Sequence, residues 1–303
     1  MIINTGARTD TVQYFSEWLI KRFEEGYVLV RNPMFPEKVT KYELTPDKVD
    51  CVIFCSKNYK PILKDLYKIT NKFNTYFHYT ITAYDKDIEP GVPSIDESIK
   101  TLYELEKQVS KNRIAWRYDP ILYTGKYDFD YHCKTFNYMA EKLANHIDRC
   151  IFSFVEIYKK LEYNMPELIK FDENDKLNLA KMLGDTSKKY SINIQTCGTD
   201  IDYSKFGINN SGCMTSDILG NANSIKFKKI KHSGSRVGCH CMPSRDIGAY
   251  DTCMNGCKYC YANKNPKLAF ENYKYHDKNS PMLLSNVNES DIVQMGQQKS
   301  LLE

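Results

Sequence analysis

Short apolar and β-branched runs recur along the chain, at residues 2–4, 27–30, 51–54, 76–82, 114–116, 150–154 and 192–194. Each has the length of a strand. Between several of them lie amphipathic stretches of helical length. In residues 10–24, Val12, Phe15, Leu19 and Phe23 recur at helical spacing. Residues 94–109 open on Ser94, a suitable N-cap, and carry Ile99, Leu102 and Leu105. Residues 129–147 and 174–188 also read as helices. Alternation of this kind predicts a parallel sheet, closed or open. Polar residues stand at or just past the runs: Arg8, Arg31, Lys57, Thr82, Arg117 with Asp119, Glu156 and Gln195. In a parallel barrel these positions share the face that carries active sites.

The chain has 303 residues, which suits a (β/α) barrel of about 250 residues with an extension. The expected architecture is therefore α/β: a TIM-barrel-like parallel barrel over residues 1–265, with a C-terminal cysteine-rich cluster-binding loop in segment 197–263. A polar tail follows over 266–303, and an open doubly wound sheet is the alternative. Hydrophobic residues at 42% and charged residues at 26% exclude wholesale disorder. Lys+Arg 42 against Asp+Glu 38 leaves a net charge of +4, too mild to mark a nucleic-acid binder. The basic stretch at 226–232 is a local patch whose ordinary role is a solvated face. No apolar run is long enough to predict a membrane span, and the N-terminus lacks a basic region followed by an apolar stretch. A cytoplasmic, reducing compartment is expected. Neither GxGxxG nor a Walker A sequence occurs, so dinucleotide and P-loop readings have no support.

Cysteine distribution changes the picture most. Of 11 cysteines, Cys51, Cys55, Cys133 and Cys150 are scattered in strand-like or helix-like contexts and read as core fillers. The other seven crowd between residues 197 and 260, which in a reducing compartment suggests metal or redox chemistry before disulfides. The densest signal is CMNGCKYC, in which Cys253, Cys257 and Cys260 follow C-x3-C-x2-C with Tyr259 before the last cysteine. Three thiolates leave one iron of a [4Fe–4S] cubane open, whereas electron-transfer clusters have four cysteines. Zinc, bound by thiols drawn from both groups, is the competing reading. Cys197, Cys213, Cys239 and Cys241 form a second group whose number suits an auxiliary [4Fe–4S] cluster. Against it stands burial of Cys197 and Cys213 as small hydrophobes, with Cys239-His240-Cys241 as a loop. His240 is the one histidine placed near a metal, in a supporting position.

The triplet's spacing and aromatic residue resemble the cluster motif of radical S-adenosylmethionine enzymes, and YCYAN at 259–263 is similar to that of spore photoproduct lyase. Over residues 1–263 the segments GARTDTVQYF, VDCVIFCSKN, WRYDPIL and GCHCMPSRDIGAYDTCMNGCKYCYAN resemble the bacterial and archaeal family called domain of unknown function 1848. The resemblance implies a barrel whose cluster motif has moved from the first strand to the last. It also implies S-adenosylmethionine bound at the open iron and cleaved reductively to a 5′-deoxyadenosyl radical, with electrons from a partner such as a flavodoxin or ferredoxin. Cys253, Cys257 and Cys260 would ligate the cluster, and Tyr259 would set its backbone against the adenine. Arg8, Arg31 and Arg117 are candidates to pair with carboxylates of the methionyl group or a substrate. Asp119 and Glu156 are candidates to accept from the ribose or the ammonium. Arg245 and Asp246 would brace the loop between the cysteine groups, and Tyr250 and Tyr261 would pack around the cluster. The family shows two successive arginines near the N-terminus where this chain has Ala7 and Arg8, so a role needing both is not carried over. Two other functions compete: a non-catalytic iron–sulfur or zinc sensor, and a nucleic-acid modification or repair enzyme related to photoproduct lyase.

Overall fold

A computed structural model describes residues 1–199, 201–228 and 238–303. Eight parallel strands form its main sheet: β1 (Ile2–Asn4), β4 (Cys51–Ser56), β5 (Thr75–Thr80), β6 (Ile114–Ile121), β7 (Arg149–Phe154), β8 (Asn193–Thr196), β9 (Asn209–Asn210) and β10 (Ser244–Asp246). Three more strands, β2 (Tyr27–Arg31), β3 (Lys38–Glu43) and β11 (Ile292–Met295), make a separate small sheet. The helices are α1 (Thr11–Tyr14), α2 (Ser16–Glu25), α3 (Tyr67–Thr70), α4 (Ile95–Val109), α5 (Phe129–Leu143), α6 (Lys159–Asn164), α7 (Glu173–Lys189), α8 (Ser216–Asn223) and α9 (Pro266–Tyr273).

The order across the main sheet is β10-β1-β4-β5-β6-β7-β8-β9. The expected closed barrel is not found: β9 and β10 are the two edges, and no pairing joins them among the described residues. Both edge strands are very short, two and three residues, and offer few groups for a closing ladder. β10 nevertheless pairs in parallel with β1, Ile2 facing Ser244 and Asn4 facing Asp246. The loop after the last strand thus lies beside the loop after the first, and the opening falls one strand earlier.

Alternation along the strands divides the sheet into two faces. One carries Phe54, Phe77, Tyr79, Trp116, Tyr118 and Phe152, all buried in the main core with Ile99, Leu102 and Leu105 of α4, Phe136 and Met139 of α5, and Leu179 and Leu183 of α7. The Trp116 and Phe136 rings stack at 5.0 Å. The opposite face carries Cys51, Ile53, Tyr76, Ala115 and Ile151, and packs on α8 and residues around Cys213 and Cys241. α4 starts as expected: Ser94 and Glu97 form a reciprocal capping box.

Residues 27–30 do form a strand, but outside the parallel sheet. Only six residues separate β2 from β3, too few for the crossover that parallel pairing needs, so the two pair antiparallel. The helix expected over residues 10–24 breaks at Phe15, which leaves helical geometry to bury its ring against Tyr273 and His276. The expected tail contributes α9 and β11, and β11 pairs with β3. Among the described residues no helix is long and apolar enough to cross a membrane.

Candidate functional site

The C-terminal ends of the parallel strands assemble the chemistry. Asp10 follows β1 and caps α1 through Gln13 N at 2.9 Å, while its other oxygen accepts from Lys57 N at 2.9 Å. Lys57, past β4, reaches Glu89 at 2.9 Å, and Thr82, past β5, donates to the same carboxylate oxygen at 2.7 Å. Glu89 is almost wholly buried. The Tyr259 hydroxyl also donates to it. One carboxylate therefore ties the loops after β4 and β5 to the cysteine loop after β10.

That loop is held along its length. Tyr14 donates to Asn255 Oδ1 at 3.0 Å, and Gly91 N donates to Asn255 O at 2.8 Å. A Cβ on Gly91 would lie 2.8 Å from Asn255 Cα, so the close approach requires glycine there. Lys258 N donates to Ile88 O at 3.1 Å, Tyr158 donates to Tyr259 O, and Lys160 Nζ donates to Cys260 O at 2.5 Å. Asn263 Nδ2 donates to Cys253 O at 2.5 Å, and Ala262 N points at Cys260 Sγ at 3.3 Å. Cys253 is buried, with Cys257 and Cys260 half-buried. Burial pushes the Cys253 thiol up to about 12, with the Asp10 and Cys260 charges adding. Burial also raises Cys257; Glu89 reinforces this, Lys57 opposes it, and Cys253 and Cys260 add to it.

The second group is tighter. The sulfurs of Cys197, Cys213 and Cys241 lie within 4.8 Å of one another, and all three residues are buried. Cys213 Sγ and Cys241 Sγ are 3.4 Å apart. Cys239 is half-buried against the same apolar cluster, and His240 is exposed. The Cys213 thiol is raised to about 12, first by its hydrogen bond with Cys197. Cys241 is raised by hydrogen bonds with Cys197 and then Cys213. All eleven cysteines are free thiols.

Some of the other expected residues stand beside these groups and some do not. Arg117 and Asp119 form an ion pair at 2.5 Å, and Arg117 also donates to Cys213 Sγ at 3.6 Å, so the pair belongs beside the second group. Ser153 donates to Asp119. Arg8 lies 3.8 Å from Asp246 and 5.5 Å from the centre of the exposed Tyr250 ring. Asp246 pairs with Arg8 and accepts from Ala7 N and Gly248 N, which is not the expected brace with Arg245. Tyr261 donates to Ala7 O at 2.5 Å. Arg31 is bound at both nitrogens by Asp291, at 2.5 and 2.7 Å, in the small sheet. Glu156 is exposed. Of the basic patch, residues 229–232 lie outside the described residues.

A cavity of about 750 Å³ opens beside the two ends of the cysteine loop, lined by Arg8, Arg31, Tyr158, Lys160, Tyr261 and Lys264 among others. Sequence reasoning missed Glu89, Gly91 and His78. His78 is buried, faces Cys55 Sγ and contacts Cys213 O at 3.2 Å. Period-two alternation from Tyr76 puts it on the cysteine face, so that signal was available; nothing local marks Glu89 or Gly91.

Comparison with protein families matches residues 2–262 to the family described as Domain of unknown function (DUF1848). The chain belongs to that family. The match takes in both cysteine groups and the strands that carry them, and ends ahead of α9. Comparison with curated proteins and with solved structures gives no match.

Proposed function

We propose that this DUF1848 member is a radical S-adenosylmethionine-type enzyme, cytoplasmic, with an opened (β/α) barrel as its scaffold. One observation carries the reading: Cys253, Cys257 and Cys260 stand on a single loop at the C-terminal side of a parallel sheet, held there by Tyr259 on Glu89, Asn255 on Gly91, and Tyr158 and Lys160 on its carbonyls. The donor set fits a [4Fe–4S] cubane with one iron unligated by protein. Three soft sulfurs on one braced loop, with an N–H aimed at Cys260 Sγ, are what such a cluster needs. When bound, the cluster supplies the single electron that cleaves S-adenosylmethionine.

The chain's own residues position and shield. Glu89 fixes the Tyr259 ring and Lys57 beneath the loop, and Lys57 places a cation near Cys257. Arg8 and Arg31 both line the cavity, and Arg8 is the better placed for a carboxylate, since its pairing with Asp246 is long, at 3.8 Å. Arg31 is committed to Asp291. Lys160 and Lys264 add positive charge to the same cavity, which suits an anionic ligand.

The test is anaerobic. Reconstituted full-length protein, reduced and given S-adenosylmethionine, should yield 5′-deoxyadenosine, and C257S should yield none. A brown, iron-loaded protein that gives no 5′-deoxyadenosine and no spectral response to S-adenosylmethionine would instead be the non-catalytic sensor. A salt-dependent shift with oligonucleotides would point to nucleic acid as substrate.

A further inference from the structure

The three closest sulfurs lie at a particular place in the fold. Cys197 follows β8, Cys213 follows β9, and Cys241 precedes β10. They therefore flank the one seam where the sheet is not joined by hydrogen bonds among the described residues. Their segments are brought together deliberately. Met242 N donates to Met214 O at 2.8 Å. A Cβ on Gly212 would stand 2.5 Å from His240 C and 2.7 Å from Cys241 N, so only glycine lets these two backbones approach. Buried polar groups hold the same turn from the sheet: Gln195 Nε2 donates to Gly212 O at 3.1 Å, and His78 Nε2 meets Cys213 O at 3.2 Å.

We propose that Cys197, Cys213 and Cys241 hold one thiophilic divalent ion of the zinc class, which joins the β8–β9 edge to β10 across the open seam. A tetrahedral zinc with sulfurs at about 2.3 Å keeps those sulfurs about 3.8 Å apart. The observed 3.4 Å pair, with all three sulfurs inside 4.8 Å, matches a single ion. An auxiliary cubane spreads its thiolates wider, because each binds a different corner iron. Three thiolates on a dication leave one negative charge, and Arg117, whose other terminal nitrogen is paired with Asp119, donates to Cys213 Sγ through Nη1 at 3.6 Å. The fourth position falls to Cys239 or to solvent. This site is separate from the triplet after β10.

Metal analysis of full-length protein purified without added iron decides the matter. About one zinc per chain is expected, retained in C257S and lost in C213S and C241S. Cobalt substituted into wild type and C257S should give thiolate charge-transfer bands and intense tetrahedral d–d bands, a readout that does not depend on the cysteine variants folding. Four irons remaining in reconstituted C257S would overturn the proposal in favour of an auxiliary cubane. A zinc-free wild type, or a Cys213–Cys241 disulfide in unreduced protein, would overturn it too. Failure to form 5′-deoxyadenosine would sink the radical reading and leave the zinc count unchanged.

Discussion

His132 of α5 sits wholly inside the core against β6. Its Nδ1 lies 2.6 Å from the Tyr118 hydroxyl and its Nε2 lies 3.0 Å from Leu122 O. A carbonyl can only accept, so Nε2 carries the proton and Nδ1 accepts from tyrosine; the neutral ring satisfies both partners. Burial lowers the imidazole from 6.5 to about 4, against the opposing Leu122 hydrogen bond. The unfolded chain therefore binds this proton at a higher pH than the folded one. The contribution is complete above pH 6.5 and is lost as pH falls toward 4, amounting to about 2 kcal/mol by pH 5. Urea unfolding at pH 7 and 5 should record that loss, and H132F should flatten this part of the slope; an unchanged slope in H132F would contradict the assignment. Gly91 belongs to the same scale. G91A drives a methyl into Asn255, so the loop must shift. Far-UV circular dichroism should stay near wild type while iron retained after anaerobic reconstitution falls severalfold. Full iron retention would mean the loop tolerates the displacement.

Among the elements, the small sheet depends on the chain's last residues. β11 covers the edge of β3, Asp291 holds Arg31 at both nitrogens, and Ser300 and Leu301 bond the buried Asp50, which also pairs with the Met1 amino group. Deleting residues 288–303 should uncover the β3 edge and leave Arg31 and Asp50 short of partners, lowering the melting temperature by several degrees and promoting association through the bare edge. Light scattering and a thermal melt check this, and a monomeric truncation with an unshifted melt would refute it. The same elements mark what the sequence makes legible. Six runs were readable as parallel strands because each pairs within one sheet and is followed by long connections. Residues 27–30 carry the same apolar signal, and only the short link to β3 reassigns them. β9, with two asparagines, has no apolar signal, and β11 is a short apolar run, Ile292, Val293 and Met295 around Gln294, set in an otherwise polar extension and left exposed. At the site, spacing alone grouped the seven late cysteines. It could not supply Glu89, whose place rests on contacts spanning 170 residues to Tyr259, nor reveal that Arg31 is occupied by Asp291 across 260 positions.

Across the whole molecule, the cysteine loop is fastened to distant parts of the chain: to Asp10 and Tyr14 after β1, to Glu89 and Gly91 after β5, and to Tyr158 and Lys160 around α6. A group bound by Cys253, Cys257 and Cys260 in the folded chain alone stabilises that whole network, because ligand binding to the native state shifts unfolding by mass action. The Cys253 and Cys257 thiols are raised by burial, so the unliganded loop holds these two protonated, and loading the cluster releases their protons. Loading should therefore become tighter as pH rises. Calorimetry under anaerobic conditions should find the reconstituted protein melting several degrees above the chelated protein, in one cooperative transition, with the gap widening from pH 6.5 to 8. C257S should lack the gap at every pH. Equal melting temperatures for loaded and chelated wild type would mean that the loop does not hold the group in the folded state, and the triplet would then lose its claim to be the centre of the site.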